Sequence, residues 1–308
     1  MQWALAQLLF AVAWFAGRLP WPLLHLLGDG VAKLWLRLDA REARVARRNL
    51  ELAFPWLSSP DRDRLQRRVL ATTARQALET LRFWTRPHAR NLALLRECHG
   101  MDLFDAAIAS GKGVIVAAPH YGNWELLNQW LATRTPIAVL YRPPESAIGE
   151  AFLQKVRADG NGRVTQVPAE GPAVRQLVRV LKAGGVVGIL PDQQPKAGEG
   201  VYAPFFGRQA LTMALLPRLA ARTGAQVLLA YCERIDGDGA APAFALRIEA
   251  APEGIDGDDT VAAATALNAG VEAIARRDPT QYQWTYKRYT LRPPGSGETN
   301  PYRDLERH

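Results

Sequence analysis

The sequence predicts an α/β fold in which a mainly parallel central sheet is flanked by helices, preceded by an N-terminal membrane-associated helix. Three observations predict it: short apolar runs alternate with amphipathic runs after residue 100, the first seventeen residues are uncharged, and basic residues follow that apolar start. The chain has 308 residues, 48% of them apolar, and a net charge of +8. This length and composition suit one large domain with a sizeable core and exclude a disordered polymer.

Residues 1–40 are predicted to form a membrane anchor or a set of interfacial helices. The segment MQWALAQLLFAVAWFAG has no basic residue before Arg18, so it lacks the basic start of a secretory signal. It is a little shorter than the ~20 residues that span a bilayer, and Pro20 and Pro22 interrupt any longer helix. Two membrane arrangements stay open, a short single-pass anchor and an interfacial hairpin with residues 23–38 in the headgroup layer. The alternative is a helix that caps the soluble core.

The net positive charge of the chain is confined to its N-terminal third. Residues 41–100 contain thirteen Arg and six acidic residues, a net charge of +7, whereas residues 101–308 contain 22 basic and 22 acidic residues. Six of the nine Trp lie within residues 1–84. Arg and Trp beside an apolar segment are typical of a protein that contacts an anionic membrane surface. Nucleic acid is the alternative partner, and the lack of any nucleic-acid-binding motif argues against it.

The periodicity of the chain places helices and strands in a regular order. Amphipathic helices are predicted over 41–54 and 61–84, with Ser59 or Asp61 as the cap of the second. Strands are predicted at 113–118, 137–141, 164–168, 186–190, 226–233 and 244–250, and helices between them at 124–133, 147–158, 172–184 and 211–224. Strands joined by single helices form a mainly parallel sheet. The predicted regions are the membrane segment 1–40, a basic amphipathic helical region 41–100, an α/β core 101–292 and a C-terminal tail 293–308.

Polar residues follow three of the predicted strands. The strand at 113–118 leads to His120, the strand at 137–141 leads to Arg142, and the strand at 186–190 leads to Asp192 and Gln193. Ligands of parallel α/β sheets bind outside the carboxyl ends of the strands. We therefore expect the functional site at this edge, with Arg142 suited to hold a phosphate or carboxylate. A structural ion pair is the alternative role of Arg142 and of Asp192.

The loop after the first of these strands has the residues of a general base. Asn123 can cap the following helix, and Glu125 falls in its first turn, where a carboxylate is favoured by the helix dipole. A Glu there can fold back toward His120 and stabilise its imidazolium, which suits removal of a proton from a hydroxyl. A structural role for a loop His is the alternative. Phe205 and Phe206 suggest contact with a lipid, although core packing is the more common role of such a pair.

Several other chemistries lack their motifs. No Ser lies in a G-x-S-x-G elbow, no glycine-rich phosphate loop follows a strand, and no H-E-x-x-H sequence is present, so no metal site is predicted. Cys98 and Cys232 are the only cysteines, too few for a disulfide framework, which favours a reducing compartment. A base without a protein nucleophile remains. It indicates direct transfer, in which the acceptor hydroxyl itself attacks.

An ordered set of motifs resembles a known family. PHYGNWE, YRP, LPDQQP, APFFGRQALT and QYQWTYKRY, together with the upstream stretch RRNLELAFPWLSSPDRDRL, resemble the lipid A biosynthesis lauroyl/myristoyl acyltransferases of the lysophospholipid acyltransferase superfamily. The resemblance covers about residues 40 to 290. It implies a glycerolphosphate-acyltransferase-like core in an enzyme at the cytoplasmic face of the bacterial inner membrane. It also implies transfer of a fatty acyl chain from acyl carrier protein to a hydroxyl of a lipid A precursor of the Kdo2-lipid IVA type.

The resemblance also implies roles for individual residues. His120 matches the general base of an H-x4-[DE] motif, and Glu125 matches its orienting partner. Arg142 matches the Arg of the second motif, and Asp192 with Gln193 matches the third. Asp192 either lines the acceptor site or replaces Glu125 as the partner of His120, and the sequence leaves both open.

Further residues and substrates follow from the same resemblance. Asn123 lies within the first motif and is predicted to contact substrate, whereas Tyr286 stands where many relatives have His, which leaves the role of residues 284–288 open. No cofactor is expected besides acyl carrier protein or coenzyme A as the carrier of the acyl group. Two alternatives remain, an acyl-CoA-dependent acyltransferase of another glycolipid or aminolipid, and an inactive membrane protein that binds lipid.

Overall fold

Four helices precede the sheet in the computed structural model, which describes residues 2–144, 146–157, 162–169, 171–237 and 240–306. They are α1 (Gln2–Ala16), α2 (Trp21–Arg37), α3 (Arg41–Ala53) and α4 (Ser59–Thr85). Pro20 is the N-cap residue of α2, so the interruption between α1 and α2 lies at the position predicted from Pro20 and Pro22. The cap of α4 is Ser58, whose side chain accepts a hydrogen bond from the Asp61 amide, rather than the predicted Ser59 or Asp61. Helices α1, α2 and α3 all pack against α4.

The sheet confirms the predicted mainly parallel α/β fold. Its strands are β1 (Leu95–His99), β2 (Val114–Ala117), β3 (Ile137–Tyr141), β4 (Val164–Pro168) and β5 (Val186–Ile189), and, after the hairpin strands β6 (Gly200–Phe205) and β7 (Arg208–Met213), β8 (Gln226–Ile235) and β9 (Ala243–Ala250). The spatial order is β1-β9-β8-β2-β5-β3-β4. Strands β8, β2, β5, β3 and β4 are parallel, and β9 is antiparallel to β8.

Helices cover both faces of this sheet. They are α5 (His88–Leu92), α6 (Met101–Ala109), α7 (Trp124–Arg134), α8 (Ala147–Arg157), α9 (Ala173–Lys182), α10 (Leu215–Thr223) and α11 (Thr260–Arg277). Along β2, Ile115 and Ala117 belong to one buried cluster and Val114 and Val116 belong to the other. Because both faces of β2 are covered, its sequence is a continuous apolar run rather than an alternating one. The predicted helix over 147–158 ends at Arg157, and Ala158 lies outside the described residues.

Two strand regions differ from the sequence-based expectation. β1 lies inside the region predicted as helical and pairs in parallel with β9 at the edge of the sheet. Residues 200–213, predicted as a loop followed by a helix, form the antiparallel hairpin β6–β7, so helix α10 begins at Leu215 instead of residue 211. Phe205 and Phe206 lie at the hairpin turn and are 1% and 5% exposed, so both belong to the core.

The N-terminal helices leave one apolar face uncovered. Leu5, Leu8, Val12 and Phe15 of α1 recur every three or four residues and are exposed, and α2 repeats the pattern with Leu23, Leu27, Val31 and Leu34. None of the helices in the described part of the chain combines the length and apolarity that crossing a bilayer requires.

Candidate active site

Three neighbouring strands bring the predicted polar residues to one edge of the sheet. β2, β5 and β3 are adjacent and parallel, so their carboxyl ends lie side by side. His120 follows β2, Asp192 follows β5 and Arg142 follows β3. The structure therefore gathers His120, Asp192 and Gln193 into one site, with Arg142 exposed at its border.

His120 is held by Asp192 through two hydrogen bonds. The ring Nδ1 lies 2.8 Å from Asp192 Oδ1, and the His120 backbone N–H donates to Asp192 Oδ2 over 3.0 Å. An ionised carboxylate only accepts hydrogen bonds, so Nδ1 carries the ring proton and Nε2 presents a lone pair. Asp192 thus occupies the orienting position for which the sequence left Glu125 and Asp192 as alternatives.

The opposite side of the His120 ring faces a cluster of amides. Gln193 Nε2 lies 3.3 Å from His120 Nε2 and 3.3 Å from Gln283 Oε1, which places an amide donor at the ring lone pair. Trp124 packs edge-on against the imidazole, with ring centroids 5.0 Å apart. The His120 side chain keeps 12% of its surface exposed. A substrate hydroxyl can therefore take the place of the Gln193 amide as the donor to Nε2.

The carboxylate of Asp192 is buried yet favoured in its charged form. Its side chain is 3% exposed. Burial by itself raises the pKa of Asp192, but the charge of His120 and the hydrogen bonds from its ring and backbone lower that pKa below the ordinary value. Burial also raises the pKa of the Tyr282 hydroxyl, and the negative charge of Asp192 raises it further, so Tyr282 stays protonated. Asp192 can thus act as a fixed anion that stabilises a protonated His120.

Asn123 and Glu125 take positions on the first turn of α7. The Asn123 side chain accepts a hydrogen bond from the Leu126 amide over 3.1 Å, which confirms its predicted role as helix cap. Asn123 is 1% exposed and Glu125 is 4% exposed, and neither is among the residues that line the groove described below. The structure thus gives Asn123 a capping role, and its contact with substrate stays a prediction.

The C-terminal segment fixes the loop that carries His120. The Gln283 amide donates to the His120 carbonyl over 3.0 Å, and the Gly122 amide donates to the Gln281 carbonyl over 3.2 Å. Gly122 has φ +56°, and a Cβ on it would lie 2.0 Å from the Cys232 carbonyl oxygen. Only glycine fits this close approach. The segment QYQWTYKRY thus supplies Gln283 to the site. The family resemblance of this segment was the one signal in the sequence that pointed to it, since a Gln in a polar segment is not distinctive by itself.

Tyr121, the residue after His120, anchors the same loop through its side chain. The Tyr121 hydroxyl donates to Glu233 over 2.7 Å, and Arg247 and Arg277 both pair with the same carboxylate. Burial raises the pKa of Glu233, while the hydrogen bonds from Arg277, Tyr121 and Arg247 lower it below the ordinary value. These contacts hold the backbone at Tyr121, next to His120, in place.

Residues 284–288, whose role the sequence left open, make structural contacts, and Tyr286 among them binds the loop that carries Asp192. The Tyr286 hydroxyl accepts from the Gln194 amide over 3.0 Å. Trp284 is 2% exposed and packs against Phe54. Arg288 is 4% exposed and donates to the Leu211 carbonyl and the Thr212 hydroxyl. Tyr286 therefore has a hydrogen-bonding role of its own.

A groove of about 1480 Å³ opens at His120. Apolar side chains from β3, β5, α9 and α10 form much of its wall, among them Val139, Leu140, Val174, Ile189 and Leu219. Arg142 and Gln193 also line it. A groove that is lined by both apolar and charged side chains suits a lipid with a polar headgroup, whose reacting group reaches His120. The described residues contain no group of three His, Cys, Asp or Glu side chains placed to hold a metal ion.

Comparisons with known proteins give one consistent result. Residues 1–290 match the family model described as bacterial lipid A biosynthesis acyltransferase. The chain is 28% identical over 285 residues to the lipid A biosynthesis lauroyltransferase of Escherichia coli (strain K12), covering 92% of this chain and 90% of the relative. It is 27% identical over 288 residues to the palmitoleoyltransferase of the same organism, with the same coverage.

A similarity to a second group of enzymes accompanies these matches. The chain is 30% identical over 230 residues to a phosphatidylinositol mannoside acyltransferase of Mycobacterium tuberculosis (strain CDC 1551 / Oshkosh), covering 72% of this chain and 71% of the relative. The names of these relatives have acyl transfer in common and differ in the lipid that they mention, lipid A or phosphatidylinositol mannoside.

Proposed function

The chain belongs to the bacterial lipid A biosynthesis acyltransferases, and from this premise we propose that it transfers a fatty acyl chain from acyl carrier protein to a hydroxyl of a lipid A precursor of the Kdo2-lipid IVA type. That it is an acyltransferase of the lipid A type follows from the family and from the relatives named above. The donor, the acceptor and the base are the proposal. The observation that supports it most is the His120–Asp192 pair, whose His120 lines a large groove together with many apolar side chains.

The mechanism begins with proton transfer to His120. With its proton on Nδ1 held by Asp192, the ring accepts the proton of the acceptor hydroxyl at Nε2. The oxygen attacks the thioester carbonyl and forms a tetrahedral oxyanion. Gln193 and Arg142, which both line the groove, are the available donors for that oxyanion.

Collapse of this intermediate completes the reaction. The carbon–sulfur bond breaks, the thiolate of the carrier leaves and takes the proton from His120, and the new ester stays on the acceptor. Among the described residues that line the groove there is neither Ser nor Cys. This supports direct transfer without a covalent acyl-enzyme.

A donor series tests the proposed substrates. Detergent-solubilised protein is given acyl-carrier-protein thioesters of several chain lengths and a tetra-acylated lipid A precursor, and we expect transfer with a preferred chain length set by the groove. Transfer only from acyl-CoA to another glycolipid would replace these substrates by the alternative that the mannoside acyltransferase similarity supports. Failure of both donors would leave the lipid-binding alternative.

We also propose that the protein works at the cytoplasmic face of the bacterial inner membrane. The exposed apolar faces of α1 and α2 support insertion into the interface, and the thirteen Arg of residues 41–100 support attraction to anionic lipids. The same basic region suits docking of an acidic carrier protein. Among the described residues, none that lines the groove belongs to α1, α2 or residues 41–100, so the groove stays available for the lipid acceptor when these regions contact the membrane and the carrier protein.

Removing apolar side chains from α1 and α2 should weaken membrane binding. Phe15 and Leu26 are 69% and 65% exposed, so Phe15→Ser with Leu26→Ser disturbs little of the core. We expect at least a tenfold lower affinity for phospholipid vesicles in sedimentation, since burying such a side chain is worth about 1.5–3 kcal/mol. Met101→Ser with Val261→Ser, which removes exposed apolar side chains elsewhere, is the control. Equal binding of both double variants would contradict membrane attachment through these helices, and binding to anionic vesicles that salt leaves unchanged would contradict the electrostatic part.

A further inference from the structure

The groove is more positively charged than the domain around it. Residues 101–308 have equal numbers of basic and acidic side chains. The groove, in contrast, is lined by four permanent cations and two carboxylates, namely Arg142, Lys196, Arg218, Arg222, Glu199 and Asp258. Arg142 borders the reacting centre and belongs to the mechanism above. The other three cations are Lys196 in the loop after β5 and Arg218 and Arg222 of α10, and together we call them the α10 cation cluster.

The direction of α10 follows from its place in the chain. α10 ends three residues before β8, which begins at the amino edge of the sheet, so the helix runs from the carboxyl edge toward the amino edge. Leu215 at its start and Arg222 near its end both line the groove. At 1.5 Å per residue they lie about 10 Å apart along the helix. The groove thus extends from His120 to a cationic region farther along α10.

The side chains of the cluster have no structural task in the described chain. Arg218 and Arg222 are one helical turn apart and exposed, whereas their neighbours Leu219 and Ala220 are buried. Within the described ranges no carboxylate lies at ion-pair distance from Arg218, Arg222 or Lys196. Arg175 and Arg179, an exposed pair on α9, likewise have no ion-pair partner among the described residues, but they do not line the groove. The cluster is therefore free to bind an anion that enters the groove.

We infer that Lys196, Arg218 and Arg222 bind a phosphate ester on the headgroup of the acceptor lipid while its hydroxyl lies at His120. This deepens the proposed function and rests on it, because a lipid acceptor has to occupy the groove. Two Arg forks one turn apart match the oxygens of a phosphate, and Lys196 adds a third positive charge. Apolar side chains that line the same groove suit the acyl portion of the same molecule. The anchor sets which hydroxyl reaches the base.

The test uses a double variant that combines Arg218→Gln and Arg222→Gln, and compares it with the wild type. We expect the KM for a phosphorylated acceptor to rise 10- to 100-fold, the usual range for losing hydrogen bonds to a charged group, with kcat within about threefold of the wild type. The same lipid with its phosphates removed should give equal KM values for both proteins. Arg175→Gln with Arg179→Gln is the matched control, since this exposed Arg pair is one turn apart on α9 and does not line the groove.

Equilibrium binding of the phosphorylated lipid to solubilised protein separates this inference from the proposed reaction. We expect the double variant to bind the lipid more weakly than the wild type, with a larger difference at low salt than at high salt. This result supports the site even if no donor gives turnover. A rise in the KM for the donor instead of the acceptor would move the bound phosphate to the prosthetic group of the carrier and overturn the acceptor assignment. Unchanged binding and KM, or an equal loss with the phosphate-free lipid, would overturn the anion site.

Discussion

His120→Ala is expected to abolish measurable acyl transfer while leaving a folded protein. A positioned general base contributes about 10²–10⁴-fold to the rate, and no other His lines the groove among the described residues. The backbone contacts of residue 120 persist in the variant, because its amide still donates to Asp192 and its carbonyl still accepts from Gln283. We therefore expect the loss in kcat, with circular dichroism and gel filtration unchanged.

A second variant protects this result against a folding artefact. His120→Ala removes the ring donor from the buried Asp192, which costs about 1–3 kcal/mol of stability. His120→Asn keeps an amide donor for that carboxylate but cannot take up a proton, so it should be as inactive as His120→Ala and more stable. His99→Ala, at an exposed His paired with Glu97, is the control and should transfer normally. Wild-type turnover by either folded His120 variant would exclude the proposed base.

The sequence was sufficient for the buried strands and insufficient for the exposed ones. β2 is buried along its whole length, so its apolar run was a reliable signal. β1 pairs with a single neighbour at the sheet edge and exposes four of its five residues, so LRECH has no apolar pattern to read. In the hairpin, Pro204 and the helix-favouring residues of β7 concealed two strands whose pairing depends on the turn at Gly207.

The site was predictable in its position and not in its pairing. Polar residues after buried strands were enough to place His120, Arg142 and Asp192 at one edge of the sheet. The choice between Asp192 and Glu125 depends on β5 lying next to β2, and strand order is not encoded in local periodicity. Gln283 comes from a segment more than 160 residues from His120, and only the folded chain shows their contact.

Asp192→Asn is expected to lower kcat by about 10²–10⁴-fold with little change in KM, because Asp192 acts through His120 and does not line the groove. The amide of Asn can donate to Nδ1, which would leave the ring proton on Nε2, where a base must be free. It also removes the charge that stabilises the protonated ring. Glu125→Gln makes the same carboxylate-to-amide change five residues after His120. A normal rate in Asp192→Asn, with the loss in Glu125→Gln, would assign the orienting role to Glu125.

The free energy of unfolding of the wild type, compared with that of Asp192→Asn, should depend on pH with a definite sign. The pKa of Asp192 is lowered in the folded protein, so the folded state favours its charged form over the protonated one. This contribution is complete above the unfolded pKa of about 3.9 and disappears as the pH falls through the lower folded value. In urea unfolding, the free-energy difference between wild type and Asp192→Asn should therefore shrink between pH 5 and pH 2. A difference that stays constant or grows over that interval would mean that the buried carboxylate is not held as an anion by His120, and the base would lose the partner on which its proton transfer depends.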